Sequence, residues 1–140
     1  MSSRMTAALE PDGLIIAYLK KNLPDLMAVY AFGSQVSGSA TKQSDVDLAV
    51  LVEGYASADF LWKLSGDLAQ LVDCAVDLLD FRAASTVMQS QILNTGKRLW
   101  AKDISASLYE CFVLNEKNAL DEARAPLIAL IEKEGRVYGR

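Results

Sequence analysis

Apolar and polar positions run in blocks along the chain, and the blocks change period. Between residues 13 and 23 the apolar residues Leu14, Ile15, Tyr18 and Leu19 recur at helical spacing; Asp12 stands ahead of them as an N-cap, and Asn22 and Pro24 close the segment. Residues 27–32 (MAVYAF) form a continuous apolar run of strand length that stops at Gly33-Ser34. A polar stretch with Gly38 inside it follows, and then VDLAVLV over 46–52, a second strand closed by Gly54. Residues 57–72 return to helical spacing, with Ser57 as cap and Phe60, Leu61, Leu64, Leu68 and Leu71 as the stripe. AVDLLDF over 75–81 predicts a third strand. Residues 85–94 predict a helix capped by Ser85 and stopped by Gly96, and KRLWA over 97–101 a short strand on a sheet edge. From Ile104 the composition is helical, Pro126 is expected to split the helix near Ala125, and residues 135–140 are expected to fray.

The order α-β-β-α-β-α-β-α, without repeat or linker, gives an α/β (α+β) class: a small mixed β-sheet flanked by helices, with a C-terminal helical segment over about 104–134. In that segment Leu108, Phe112, Val113, Leu120, Leu127, Ile128 and Ile131 supply more apolar surface than a small sheet needs, so the stripe covers either the domain's own core or a partner.

The acids interrupt this pattern. Strand side chains alternate faces, so Asp45 and Asp47 project together with Ala49 and Leu51 beyond them, while Val46, Leu48, Val50 and Val52 fill the other face. Two adjacent carboxylates repel unless a cation stands between them. The plain alternative is a turn-capping Asp45 and a salt-bridged Asp47. Gly33 allows close backbone approach, and a strand that ends in Gly-Ser exposes N–H groups suited to phosphate oxygens, with the Ser34 hydroxyl beside them; the plain alternative is Ser34 as a helix N-cap. On the third strand Asp77 shares a face with Ala75, Leu79 and Phe81, whereas Asp80 points the other way at the strand end, in a turn or cap position. Three carboxylates make an oxygen-only site, suited to Mg2+ or Mn2+ with substrate phosphates completing the shell.

Composition narrows the chemistry. The chain contains no histidine, which excludes Ser-His-Asp and Cys-His catalysis and His-ligated zinc. Its 140 residues fit one domain over 1–140, and 51% hydrophobic against 23% charged residues is an ordinary globular balance. A net charge of −4 argues against direct nucleic-acid binding, which needs a basic face. Cys74 and Cys111 are expected to be buried, reduced thiols. With no apolar run approaching membrane-spanning length and no leader-like start, a cytoplasmic protein with no membrane partner is expected.

Gly33-Ser34, ten residues, then Asp45-Val46-Asp47 resembles the nucleotidyltransferase signature of the polymerase-β-like superfamily, and the short length with the late Asp77 resembles its minimal form, the MNT-domain family. The likeness runs over about residues 25–100, including Ser44, the VDLLDF strand and the Gly-x-x-Leu-Trp that follows the next helix. Many members carry arginine soon after the Gly-Ser pair; here Gln35 and Ser37 stand there and the first cation is Lys42. The resemblance implies ATP as co-substrate, with Gly33, Ser34 and Lys42 on its phosphates. It implies two Mg2+ ions (Mn2+ as the other choice) on Asp45 and Asp47, with Asp77 holding only the catalytic one and taking the acceptor's proton. It further implies a protein acceptor, a tyrosine of a cognate HEPN-domain ribonuclease toxin of the HepT kind, in a hetero-oligomeric complex where the chain acts as antitoxin. Two other readings stand beside it: a non-catalytic antitoxin that sequesters the toxin, and a small-molecule nucleotidyltransferase of the aminoglycoside-modifying type.

Overall fold

The computed structural model describes residues 13–33 and 46–137, with side chains to residue 123. Asp12, Ser34, Gln35, Ser37, Lys42, Ser44 and Asp45 lie outside the described residues, as do the side chains of Leu127, Ile128 and Ile131. The elements follow in the expected order: α1 (Leu14–Asn22), β1 (Leu26–Phe32), β2 (Val46–Val52), α2 (Ala58–Val72), β3 (Val76–Asp80), α3 (Thr86–Thr95), β4 (Lys97–Ala101) and α4 (Ile104–Val137). The sheet order is β3-β2-β1-β4. β1 pairs antiparallel with both β2 and β4, and β2 pairs parallel with β3, the connection through α2 supplying the crossover that a parallel pair requires. β4 occupies an edge, where its exposed Lys97 and Arg98 discourage a further strand.

Alternation along the strands divides the core in two. Val46, Leu48, Val50 and Val52 face one side with Val29, Ala31 and Val76, under Ile15, Ile16 and Leu19 of α1 and Leu61, Leu64, Leu68 and Val72 of α2. Ala49 and Leu51 face the other with Ala28, Tyr30 and Phe81, under Ile92 of α3 and Ala106 and Val113 of α4. The α2 stripe is therefore Leu61-Leu64-Leu68-Val72, and Phe60 and Leu71 stand at its flanks, more than a third exposed. A period of 3.6 residues keeps the former four in line with the sheet and rotates the latter two out. Ser57 and Ser85 cap α2 and α3 as expected, their hydroxyls accepting from the N–H groups of Phe60 and Met88, and Gly96 closes α3. The hydroxyl of buried Tyr30 donates to Glu110 at 2.8 Å, and Arg98 donates to the same oxygen at 2.9 Å, which ties α4 to the sheet. Burial, then this hydrogen bond, push the Tyr30 hydroxyl well above its ordinary pKa.

Two expectations are corrected in α4 and its neighbourhood: the split at Pro126 and the burial of both cysteines. The helix runs unbroken through Pro126 to Val137. A proline removes one i→i−4 hydrogen bond and crowds one carbonyl, a cost of about 3 kcal/mol that bends a long helix more readily than it ends one. Cys111 is exposed and Cys74 half-buried; among the described side chains of α4 the buried ones, Ala106 and Val113, fall two turns apart and Cys111 lies off their line. Within the apolar row, among the described side chains, Val113 is the one that is buried; Leu108 and Phe112 are 63% and 56% exposed, in line with Ile104 one turn earlier.

The Tyr18 hydroxyl donates to Asp67 at 2.6 Å and links α1 to α2. Loss of hydration, and next this bond, push its pKa up from 10.0 to about 12. A pKa raised on folding favours the neutral phenol, so the contribution is complete below the unfolded value of 10.0 and is lost as pH climbs through about 12. Tyr18→Phe is expected to flatten the fall of stability across that window, read as urea midpoints against pH.

Candidate active site

β1 is buried almost to its end and then turns at Gly33, whose φ of +82° lies in the left-handed region. The turn stands against β2: Phe32 pairs with Asp47 across the antiparallel ladder, and a Cβ on Gly33 would collide with the Asp47 carboxylate. Only a residue without a side chain lets the backbone come so close to that acid. On the other side of β2 the parallel ladder pairs Asp47 with Asp77. In-register neighbours on parallel strands project to the same face, and adjacent strands lie about 4.8 Å apart, so the two carboxylates are side by side. The sequence places them there because each is the second residue of its strand, with Ala49 and Leu51, or Leu79 and Phe81, running on from it along the same face into the core. Asp47 is half-buried and Asp77 exposed, so the pair occupies the open end of the sheet where the helix layer stops.

Gly33, Asp47 and Asp77 are thus brought together as the sequence reading expected. Ser34, Lys42 and Asp45, expected at the same site, lie outside the described residues, and among the described residues no group of three potential metal ligands forms. Like charges at adjacent positions repel, and a cation between them would offset that repulsion. The donors are carboxylates with no nitrogen or sulfur among them, which fits a hard divalent ion such as Mg2+. The missing Cβ at Gly33 lets the Asp47 carboxylate lie directly against the turn backbone.

Asp80 takes the turn role given to it. It is buried, and its two oxygens accept from the N–H groups of Ala56 at 3.0 Å and Arg82 at 3.1 Å. Arg82 in turn donates to the Val52 carbonyl, which locks the chain after β3 against the end of β2. Sequence reading missed two hollows that border the site. One, of about 280 Å3, lies between the Gly33 turn and Met88, Gln91 and Thr95 of α3. The other, of about 790 Å3, runs between α2 and β3 with Asp77 in its wall. The one signal for the first was the polar pair Gln91 and Thr95 one turn apart; for the second it was a glycine in mid-helix, Gly66.

A family model described as Polymerase beta, Nucleotidyltransferase matches residues 14–105. The protein adenylyltransferase MntA of Shewanella oneidensis is 35% identical over 117 residues, which is 84% of this chain and 84% of that one. Among solved structures, a chain from a toxin-antitoxin crystal structure with AMP-PNP aligns with a TM-score of 0.74 at 34% identity, over 84% of this chain and 95% of that chain. A chain from the complex of tri-AMPylated Shewanella oneidensis HEPN toxin with MNT antitoxin aligns at 0.69 and 32% identity, over 85% and 93%.

Proposed function

The chain belongs to the polymerase-β nucleotidyltransferase family, and from that premise we propose that it is an antitoxin that transfers AMP from ATP to a tyrosine hydroxyl of a cognate HEPN-domain ribonuclease toxin and so neutralises it. The observation that carries the reading is the in-register pair Asp47 and Asp77 with the Gly33 backbone packed on the first of them. Similarity to chains solved with AMP-PNP and with AMPylated toxin supports the nucleotide and the acceptor.

The residues act as follows. Gly33 and Ser34 approach the β- and γ-phosphates with backbone N–H groups and a hydroxyl, and Lys42 adds positive charge there. Asp45, Asp47 and Asp77 would hold Mg2+, two ions in all, which when bound offsets charge on the phosphates and on the attacking oxygen. Asp77 accepts the proton of the tyrosine hydroxyl. The new bond joins that oxygen to the α-phosphorus, the bond from the α-phosphorus to the pyrophosphate oxygen breaks, and pyrophosphate leaves. Among the described residues no helix is long and apolar enough to cross a membrane; the reading places antitoxin and toxin together in the cytoplasm, in a hetero-oligomeric complex.

Incubating the purified chain with ATP, Mg2+ and the cognate toxin, then weighing the toxin, tests the proposal. Mass gains in whole AMP units with loss of RNA cleavage are expected. A toxin of unchanged mass held silent in a tight complex would mean sequestration instead.

A further inference from the structure

We propose that the hollow between the end of β1 and the C-terminal half of α3 seats the adenine base of ATP, and that Gln91 is the residue that reads the base. The proposal rests on the transfer reading above and adds to it the place of the nucleoside.

The hollow opens on the face that carries the acids. Residues directly opposite on antiparallel strands share a face, and Phe32 stands opposite Asp47. Phe32 and Met88 pack against the core layer of Ala49, Leu51 and Ile92, the layer that follows Asp47 along its own face of β2. The hollow, of about 280 Å3, has Phe32 and Gly33 on one wall and Met88, Gln91, Ile92 and Thr95 of α3 on the other. It is therefore next to Asp47 across the β1–β2 ladder, on the side to which the carboxylate projects. Gly96 fixes this geometry. A Cβ on it would come within 2.6 Å of the Ala31 carbonyl oxygen and 3.3 Å of the Phe32 Cβ, so the end of α3 is pressed against the end of β1. Thr95 and Gln91 are thereby held beside the Gly33 turn.

The lining decides which reactant fits. Among the described residues that line the hollow none is charged, and Phe32, Met88 and Ile92 are apolar, so a phosphate or a metal ion finds no opposite charge there. In-line displacement puts the acceptor oxygen opposite the leaving pyrophosphate. With the phosphates at the Gly33 turn, the acceptor stands beyond the α-phosphorus, toward β3, and outside the hollow. The nucleoside is the part that remains. The volume falls just short of the roughly 300–1,000 Å3 of pockets that enclose whole ligands, as suits a subsite for one part of a nucleotide. Apolar walls with a few polar groups are the usual make-up of such a site, and a thioether such as that of Met88 makes favourable contacts with aromatic rings. The Thr95 hydroxyl donates to the Gln91 carbonyl at 2.7 Å, which leaves its oxygen as an acceptor. The exposed Gln91 side chain offers an amide donor and a carbonyl acceptor side by side. Adenine presents the complement, an amino donor next to a ring-nitrogen acceptor, the pairing by which glutamine reads adenine in nucleic acids.

Calorimetric titration of the purified chain with AMP-PNP and, separately, with inorganic tripolyphosphate, both with Mg2+, tests this, because the second ligand has the phosphates without the base. Gln91→Ala, which removes the reading amide, and Thr95→Phe, which fills the hollow, are each expected to weaken AMP-PNP binding about tenfold and to leave the Kd for tripolyphosphate within about twofold. In transfer assays both are expected to raise KM for ATP and to leave KM for the toxin unchanged. Both positions are exposed, and circular dichroism checks that each variant folds like the parent chain. AMP-PNP binding at the parent affinity in either variant, or an equal loss for both ligands, would overturn the subsite. A parent chain whose AMP-PNP binding depends on Gln91 but which moves no AMP to the toxin removes the transfer reading and leaves the subsite standing.

Discussion

Asp77→Asn is expected to lower AMP transfer by about three orders of magnitude while AMP-PNP still binds. The substitution keeps the size of the side chain and removes its ability to take a proton, and general-base catalysis is worth roughly 10²–10⁴-fold. The loss of a negative charge from the donor set adds to that effect. Asp77 is exposed at the open end of the sheet, so stability is expected to stay within about 0.5 kcal/mol of the parent. Nucleotide binding is expected to persist because the Gly33 turn lies two strands away, on β1, and its contact is with Asp47. Single-turnover transfer with saturating ATP separates the chemical step from binding. Transfer at the parent rate would remove Asp77 from the mechanism.

The strands were legible in the sequence because each is a short run of branched and aromatic residues cut off by glycine or by polar residues, and all four occur within a residue or so of the expected limits. The facing of Asp47 and Asp77 was also legible, since a period of two assigns every strand residue to a face. Their adjacency was not. Which residue of β3 stands beside Asp47 depends on register, and register is settled by which side chains of β2 and β3 share a core, together with the length of the α2 crossover. One residue of slip would have turned Asp77 toward Leu61 and Leu64. The turn role of Asp80 was readable from its place at the strand end, but its partners were not, because Ala56 is 24 residues away. α4 was misread at Pro126 because the local rule counts one lost hydrogen bond and takes no account of the helix on either side. The groove between α2 and β3 had no pattern beyond the mid-helix Gly66; it arises where a helix passes an edge strand.

Gly33→Ala is expected to abolish measurable AMP-PNP binding and to lower transfer by about 10²-fold or more, for two separable reasons. The first is the backbone: at a φ of +82° an alanine is strained by about 1–2 kcal/mol, which lowers the melting temperature. The second is the collision of the new Cβ with the Asp47 carboxylate, which forces either the turn or the acid to move. A displacement of about 1 Å at reacting groups is enough for a loss of roughly 10²-fold. Gly54 supplies the control. Its φ is +86°, so Gly54→Ala carries the same backbone strain, but among the described residues a Cβ there meets nothing within 4 Å. Gly54→Ala is therefore expected to lose stability by a similar amount and to transfer AMP like the parent below its melting temperature. The difference between the two variants isolates the contact between Gly33 and Asp47 from the general cost of a strained turn. Equal losses of transfer in both would mean that fold stability alone limits activity, and that the close approach of backbone to carboxylate has no part in holding the triphosphate.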